Sequence, residues 1–296
     1  MLGEIRAHGI ESGRNVAWMI ALVVFGAAAI STPRAAHAAE LAQGSTAVAE
    51  SADAIPAAAA AETAAVAPAE PADRVALGVD LVSRYAWRGQ VYGDSPCFQP
   101  WAGISFAGFT LGTWGSFPFT PVHTDTTTAP DSPEDATSTT EVDVSLSRSL
   151  TIAAGTFTAA ITDYHYPSAG QSYFEFSEDG TGGHIVDVGL AYRGPETLPL
   201  GLCGSINVYN DDDHAAYVEA SWPFTTGSTE VSLVAGAALG KSALYDVEED
   251  GVHFVNTAVT ASKPWQISGS FAPVLKVSWI VNPYREKAIL VAAISL

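Results

Sequence analysis

The sequence predicts an all-β fold, specifically a transmembrane antiparallel up-and-down β-barrel of about 12 strands. Three observations carry the prediction. Apolar content is high and charge is low: mean hydropathy is +0.18, and 15% of residues are charged, against about 25% in an ordinary soluble domain. Beyond the N-terminal region no apolar run is long enough for a helical span of roughly 20 residues. From Arg74 onward, apolar residues alternate with small or charged ones, which puts one apolar and one polar face on each strand.

The N-terminus reads as an export signal. Arg6 and Arg14 flank an apolar run from Val16 to Ile30, and Ala36-His37-Ala38 supplies a small-x-small site. A basic flank, a short apolar core and such a site form the signal-peptide pattern, so residues 1–38 are expected to be cleaved. A single-helix anchor is the alternative. Residues 39–73 are rich in Ala, Glu and Pro, with no aromatic side chain to bury, and are expected to be a disordered tether on the periplasmic side. Residues 74–296 are then the barrel.

The alternation is clearest in three places. Val75, Leu77, Val79 and Leu81 oppose Gly78, Asp80, Val82 and Arg84. Val142, Val144 and Leu146 oppose Glu141, Asp143, Ser145 and Ser147. Val186, Val188, Leu190 and Tyr192 oppose Asp187, Gly189, Ala191 and Arg193. Strands of the length a tilted span needs are expected at 75–88, 98–107, 109–118, 140–148, 150–163, 184–193, 201–209, 215–223, 229–240, 252–262, 267–281 and 286–296. Tight links at 107–108, 148–149, 224–228 and 263–266 alternate with long or acidic ones at 119–139, 164–183 and 241–251. Short periplasmic turns and longer outer loops give this rhythm. Tyr85, Trp87, Trp222, Phe224, Trp265, Trp279 and Tyr284 fall near strand ends, where an interfacial aromatic belt belongs. A soluble β-sandwich is the competing architecture, but its strands are shorter, about 5–6 residues.

The formal net charge is −19, from 13 Lys+Arg and 32 Asp+Glu. That balance excludes a nucleic-acid partner, which requires a basic face. The alternation turns Asp80, Arg84, Arg88, Glu141, Asp143, Asp187, Glu219 and Lys276 into the lumen, because charge on the lipid face costs roughly 2–4 kcal/mol for a midplane basic residue. Charged walls can sort solutes, and the acid excess predicts a mild cation preference. Neutralised pairs filling a closed interior are the alternative. Asp211-Asp212-Asp213-His214 and the 246–250 segment lack EF-hand spacing and read as solvated loops. His165, His184 and His253 could serve as a base, but no nucleophile motif accompanies them, so no enzyme activity and no cofactor are expected. Cys97 and Cys203 fall at opposite ends of the barrel, beyond the ~7 Å Cα limit for a bridge, and are expected to be free thiols.

Several stretches together resemble one family. Ser83-Arg84-Tyr85-Ala86-Trp87-Arg88-Gly89 is similar to the first-strand signature of the TorF-type porin family of Gram-negative outer-membrane barrels. Gln99, Gly112-Thr113-Trp114-Gly115-Ser116, Glu141-Val142-Asp143, Tyr164-His165-Tyr166-Pro167 and Tyr217-Val218-Glu219-Ala220-Ser221-Trp222-Pro223 follow in that family's order. The resemblance covers most of 78–296. It implies a bacterial outer-membrane barrel with channel function.

The chain departs from that pattern in ending Ala292-Ala293-Ile294-Ser295-Leu296 without a closing aromatic residue. It also carries Asp187 in place of Glu, and a third outer loop enlarged by Tyr173, Glu175, Glu178 and Asp179. The expected activity is passive diffusion of small hydrophilic solutes through a charged lumen. The expected partners are outer-membrane lipid, those solutes and, during biogenesis, the barrel-assembly machinery; the expected state is a monomer. A non-conducting structural or adhesive barrel working through its outer loops, or a lipid-modifying barrel enzyme, are the alternatives.

Overall fold

The computed structural model describes residues 74–120, 140–167, 173–174, 176 and 183–296. The expected leader (1–38), the expected tether (39–73) and Glu175, Glu178 and Asp179 of the third outer loop lie outside the described residues.

Fourteen strands are present among the described residues. They are β1 (Arg74–Val82), β2 (Tyr85–Trp87), β3 (Gln90–Gly93), β4 (Cys97–Phe106), β5 (Phe109–Pro118), β6 (Glu141–Ile152) and β7 (Gly155–His165). There follow β8 (His184–Arg193), β9 (Gly201–Tyr209), β10 (Ala216–Thr226), β11 (Thr229–Leu239), β12 (Val252–Pro264), β13 (Val274–Asn282) and β14 (Lys287–Ser295). Twelve of them form one closed antiparallel barrel, each pairing with its sequence neighbours and β1 closing onto β14; β2 and β3 form a separate two-stranded sheet. This is the up-and-down barrel expected from the alternation, and it excludes the two-sheet sandwich. Closure leaves no edge strand to protect.

The seam is short. β1 pairs with β14 only at Asp80↔Ser295, Leu81↔Ile294 and Val82↔Ala293, but with β4 along its whole length. Four further hydrogen bonds complete the seam: Val79 and Leu296 exchange backbone bonds, Ser83 N donates to Ala292 O, and Ala292 N donates to Ser83 Oγ. The terminal Leu296 thus closes the wall through its backbone, without an aromatic side chain.

Outward positions are apolar and exposed, among them Val75, Leu77, Ile104, Leu111, Leu146, Ile161, Leu233, Val277 and Leu290. Inward positions are polar, small or aromatic, and several are fully buried. The core of this protein therefore lies inside the barrel and consists largely of aromatic rings and charged groups.

Three boundaries and one side-chain placement differ from the sequence expectation. The first strand stops at Val82 rather than running to 88, because the chain turns inward and pairs with itself. The link expected at 148–149 falls at 153–154, since Ile152↔Gly155 closes the β6–β7 ladder and the outward parity of Leu146 continues through Leu150 and Ile152. Arg148 stays on that face with its guanidinium 4.8 Å from the centroid of Phe109. The link expected at 263–266 extends from 265 to 273, where Ser268 and Phe271 form their own small bridge and Pro273 has no N–H to offer a ladder. Finally, Tyr85 and Trp87 are buried in the lumen instead of joining the interfacial belt. Trp222, Phe224, Trp265 and Trp279 are exposed as a belt requires.

Neither cysteine is in a disulfide among the described residues; Cys97 is buried and Cys203 half-buried. A maleimide is therefore expected to modify Cys203 well before Cys97 in the folded barrel, with no reductant needed. Equal labelling rates would contradict this placement.

Candidate functional site: the filled lumen

After Val82 the chain leaves the wall. Tyr85 pairs with Gly93, Ala86 with Val91 and Trp87 with Gln90, so a hairpin closes through the two-residue turn Arg88-Gly89. Both turn residues have positive φ, 47° and 80°, the requirement of a type I′ turn. Arginine is an unusual choice for such a backbone, and its surroundings hold it there. Gly89 is needed twice over: its φ is positive, and a Cβ would stand 1.8 Å from the carbonyl oxygen of Val255 on β12.

The hairpin tip crosses the lumen and is met from several sides. The Tyr85 ring packs 5.5 Å from Trp114 of β5. Trp87 lies 5.9 Å from Tyr164 of β7 and 6.0 Å from Tyr245 of the 240–251 loop. Asn282 at the end of β13 donates to Gly89 O at 3.2 Å, and Gln90 Nε2 donates to Leu244 O at 2.5 Å. These aromatic pairs contribute beyond their buried area.

Arg88 sits at the centre. Its guanidinium carbon is 4.4 Å from the centroid of Trp87 and 4.3 Å from that of Tyr217 on β10, and Nη1 donates to Tyr245 Oη at 2.5 Å. Cation–π contacts of this kind strengthen when water is excluded. The carboxylate of Asp187 on β8 is close enough for its charge to act on this guanidinium. Below, Glu219 Oε2 accepts from Tyr217 Oη at 2.6 Å and from Asn256 Nδ2 at 3.0 Å; the same Asn256 nitrogen lies 3.1 Å from Tyr217 Oη. One asparagine therefore fixes both the acid and the ring on which Arg88 rests. Gly236 of β11 makes room for that ring, since a Cβ there would fall 1.8 Å from Tyr217 Oη.

The eight charged residues singled out from the sequence fall into three groups. Glu141, Asp143, Asp187 and Glu219 are buried on inward wall positions around the hairpin. Asp80 and Lys276 face each other at 3.9 Å on the wall, nearer the short turns. Arg84 and Arg88 are on no barrel strand: Arg84 pairs with Asp94 at 3.2 Å at the hairpin base, and Arg88 is the tip.

Below the hairpin the lumen is open. A cavity of about 750 Å³ is lined by hydroxyl groups such as Thr158, Ser232 and Thr260, by the charged Asp80 and Lys276, and by Glu196 and Arg193 at the short-turn end. Val82, Tyr85 and Ala86 also line it, so its upper end meets the hairpin.

The three histidines take structural partners. His184 presents Nδ1 to Asp163 at 3.0 Å and Nε2 to the Tyr173 carbonyl oxygen at 2.6 Å. His165 stacks on it at 4.3 Å, and His253 meets Tyr284 edge-on at 4.9 Å. Asp211 caps its own loop, accepting from Asn207, Asp213 N and Ala215 N. Asp246 pairs with Arg285. Among the described residues no group of three or more His, Cys, Asp or Glu is arranged to hold a metal ion.

Sequence reasoning missed Trp114, Tyr164, Tyr217, Tyr245 and Asn256 as partners of the plug. One signal was present: Gly89 stands between the short aromatic stretches 85–87 and 90–92, where a two-residue hairpin turn places its glycine. No curated protein matches this chain. The family model described as "Bacterial protein of unknown function (Gcw_chp)" matches residues 65–274, and the chain belongs to that family.

Proposed function

We propose that this protein is an outer-membrane channel of the porin type, for passive diffusion of small hydrophilic solutes, held closed by the Tyr85–Gly93 hairpin. The observation that carries the reading is the cavity of about 750 Å³, which reaches Arg193 and Glu196 at the short-turn end and carries hydroxyl and charged groups beside apolar ones, and whose upper end meets a separate hairpin rather than continuous wall. A hairpin outside the barrel sheet can move without breaking the ladder. Continuous apolar outer faces favour lipid as the surroundings, because a soluble monomer rarely exposes more than a few hundred Å² of contiguous apolar surface. The leader pattern and the ordered likeness to TorF-type porins favour the outer membrane. Asp80, Arg84, Lys276 and the four buried acids are the residues that would line the opened path.

The test is planar-bilayer recording of the refolded chain from residue 39 onward, with a salt gradient. Rare, brief cation-favouring openings from a closed baseline are expected. A permanently open conductance would contradict closure by the hairpin. The second reading, a non-conducting structural barrel, is favoured by the many wall elements that grip the hairpin; an inserted, folded barrel that never opens would establish it.

A further inference from the structure

The surroundings of Arg88 have the features of a ligand site. Two aromatic faces, Trp87 and Tyr217, lie 4.4 and 4.3 Å from the guanidinium, and a phenol oxygen, Tyr245 Oη, accepts from its edge. Four acids, Glu141, Asp143, Asp187 and Glu219, are buried on inward wall positions, and Arg88 is the buried arginine among the described residues. Asp187 Oδ2 and both carboxylate oxygens of Asp143 have no hydrogen-bond partner among the described residues. A desolvated carboxylate is costly without a counter-charge or a proton, and a cation seated beside it removes that cost. A planar, weakly hydrated cation suits stacked rings and an edge-on acceptor better than a compact ammonium.

We propose that the chamber formed by Tyr217, Tyr245, Asp187 and Glu219 is a binding site for organic cations of the guanidinium class, occupied by the chain's own Arg88 in the closed state. A solute bearing a free guanidinium competes for it when the hairpin leaves. The competition rests on the reading of the hairpin as a displaceable gate; the chamber's affinity does not. Trp87 leaves with the hairpin, so the wall site keeps one ring face, the phenol and the acids.

Arg88→Gly tests this. Glycine tolerates the positive φ of 47° and leaves the guanidinium volume empty, with Trp87 still seated. In the refolded variant, guanidinium chloride should raise the melting temperature saturably, half-maximal near ~1 mM, the order a four-heavy-atom ligand reaches. Urea, ammonium chloride and sodium chloride at equal concentration should not, and wild type, its chamber already filled, should not respond. If Arg88→Gly refolds poorly, the folded fraction recovered with guanidinium over urea reads the same affinity. Equal responses to guanidinium, urea and ammonium would overturn the proposal. Bilayer recording of the variant separates the two ideas. Current that guanidinium leaves unaffected, with no thermal shift, removes the cation site and keeps the gate. A thermal shift without current keeps the site and removes the gate.

Discussion

Valine in place of Gly89 should turn a closed barrel into a conducting one. The substitution meets two obstacles. The φ of 80° is foreign to a β-branched residue, a strain of about 1–3 kcal/mol. The new Cβ would also stand 1.8 Å from the Val255 carbonyl oxygen, a backbone atom at the β-bulge of β12 where the register with β11 shifts. Overpacking adds about 1–3 kcal/mol. A combined penalty of about 3 kcal/mol shifts the seated-to-unseated ratio by a factor on the order of 10². Gly108→Val is the matched control: its φ is also 80°, and a Cβ there meets nothing within 4 Å. It should bear the same backbone strain in the β4–β5 turn and leave conductance as in wild type. An inserted Gly89→Val barrel as silent as the control would mean that the hairpin does not close the path.

Asn256→Leu should produce the second large effect, on stability. Its Nδ2 lies 3.0 Å from Glu219 Oε2 and 3.1 Å from Tyr217 Oη, and leucine keeps the shape without the donor. Weakening the support of a buried carboxylate costs about 1.5–3 kcal/mol. Tyr217, freed on one side, would also hold Arg88 less well. The expected result is a lower denaturation midpoint in detergent by that amount, together with more frequent openings. Asn256→Asp should be at least as damaging, since it adds a second carboxylate where a donor is required. An unchanged midpoint in Asn256→Leu would show that Glu219 does not depend on this amide.

The wall of the barrel was legible in the sequence because its physics is local. A residue such as Leu146 faces outward because Glu141 and Asp143 face inward, and a period of two states this without knowledge of any partner strand. The twelve wall strands and most of their turns follow from it. The plug was illegible for the opposite reason. Alternation continues from Leu81 through Trp87 as if one strand ran on, and in that register Tyr85 and Trp87 belong to an interfacial belt. Their true environment is set by Trp114, Tyr164 and Tyr245, which lie far along the chain and meet only when the barrel closes. Gly89 is an ordinary turn glycine in the sequence; its second role depends on Val255. The four acids, Asp80 and Lys276 were legible as inward, but not that Arg84 and Arg88 leave the wall on a hairpin.

The account stands on the hairpin occupying the lumen, and nuclear Overhauser contacts in a detergent micelle test this without altering the protein. Trp87, assigned by its loss in Trp87→Phe, should show ring-to-ring contacts to Tyr164 and Tyr245, whose centroids lie 5.9 and 6.0 Å away. Its indole should also be shielded from a water-soluble paramagnetic probe. A Trp87 indole in contact only with residues near it in sequence, and bleached by the probe, would place the hairpin outside the barrel and contradict the account.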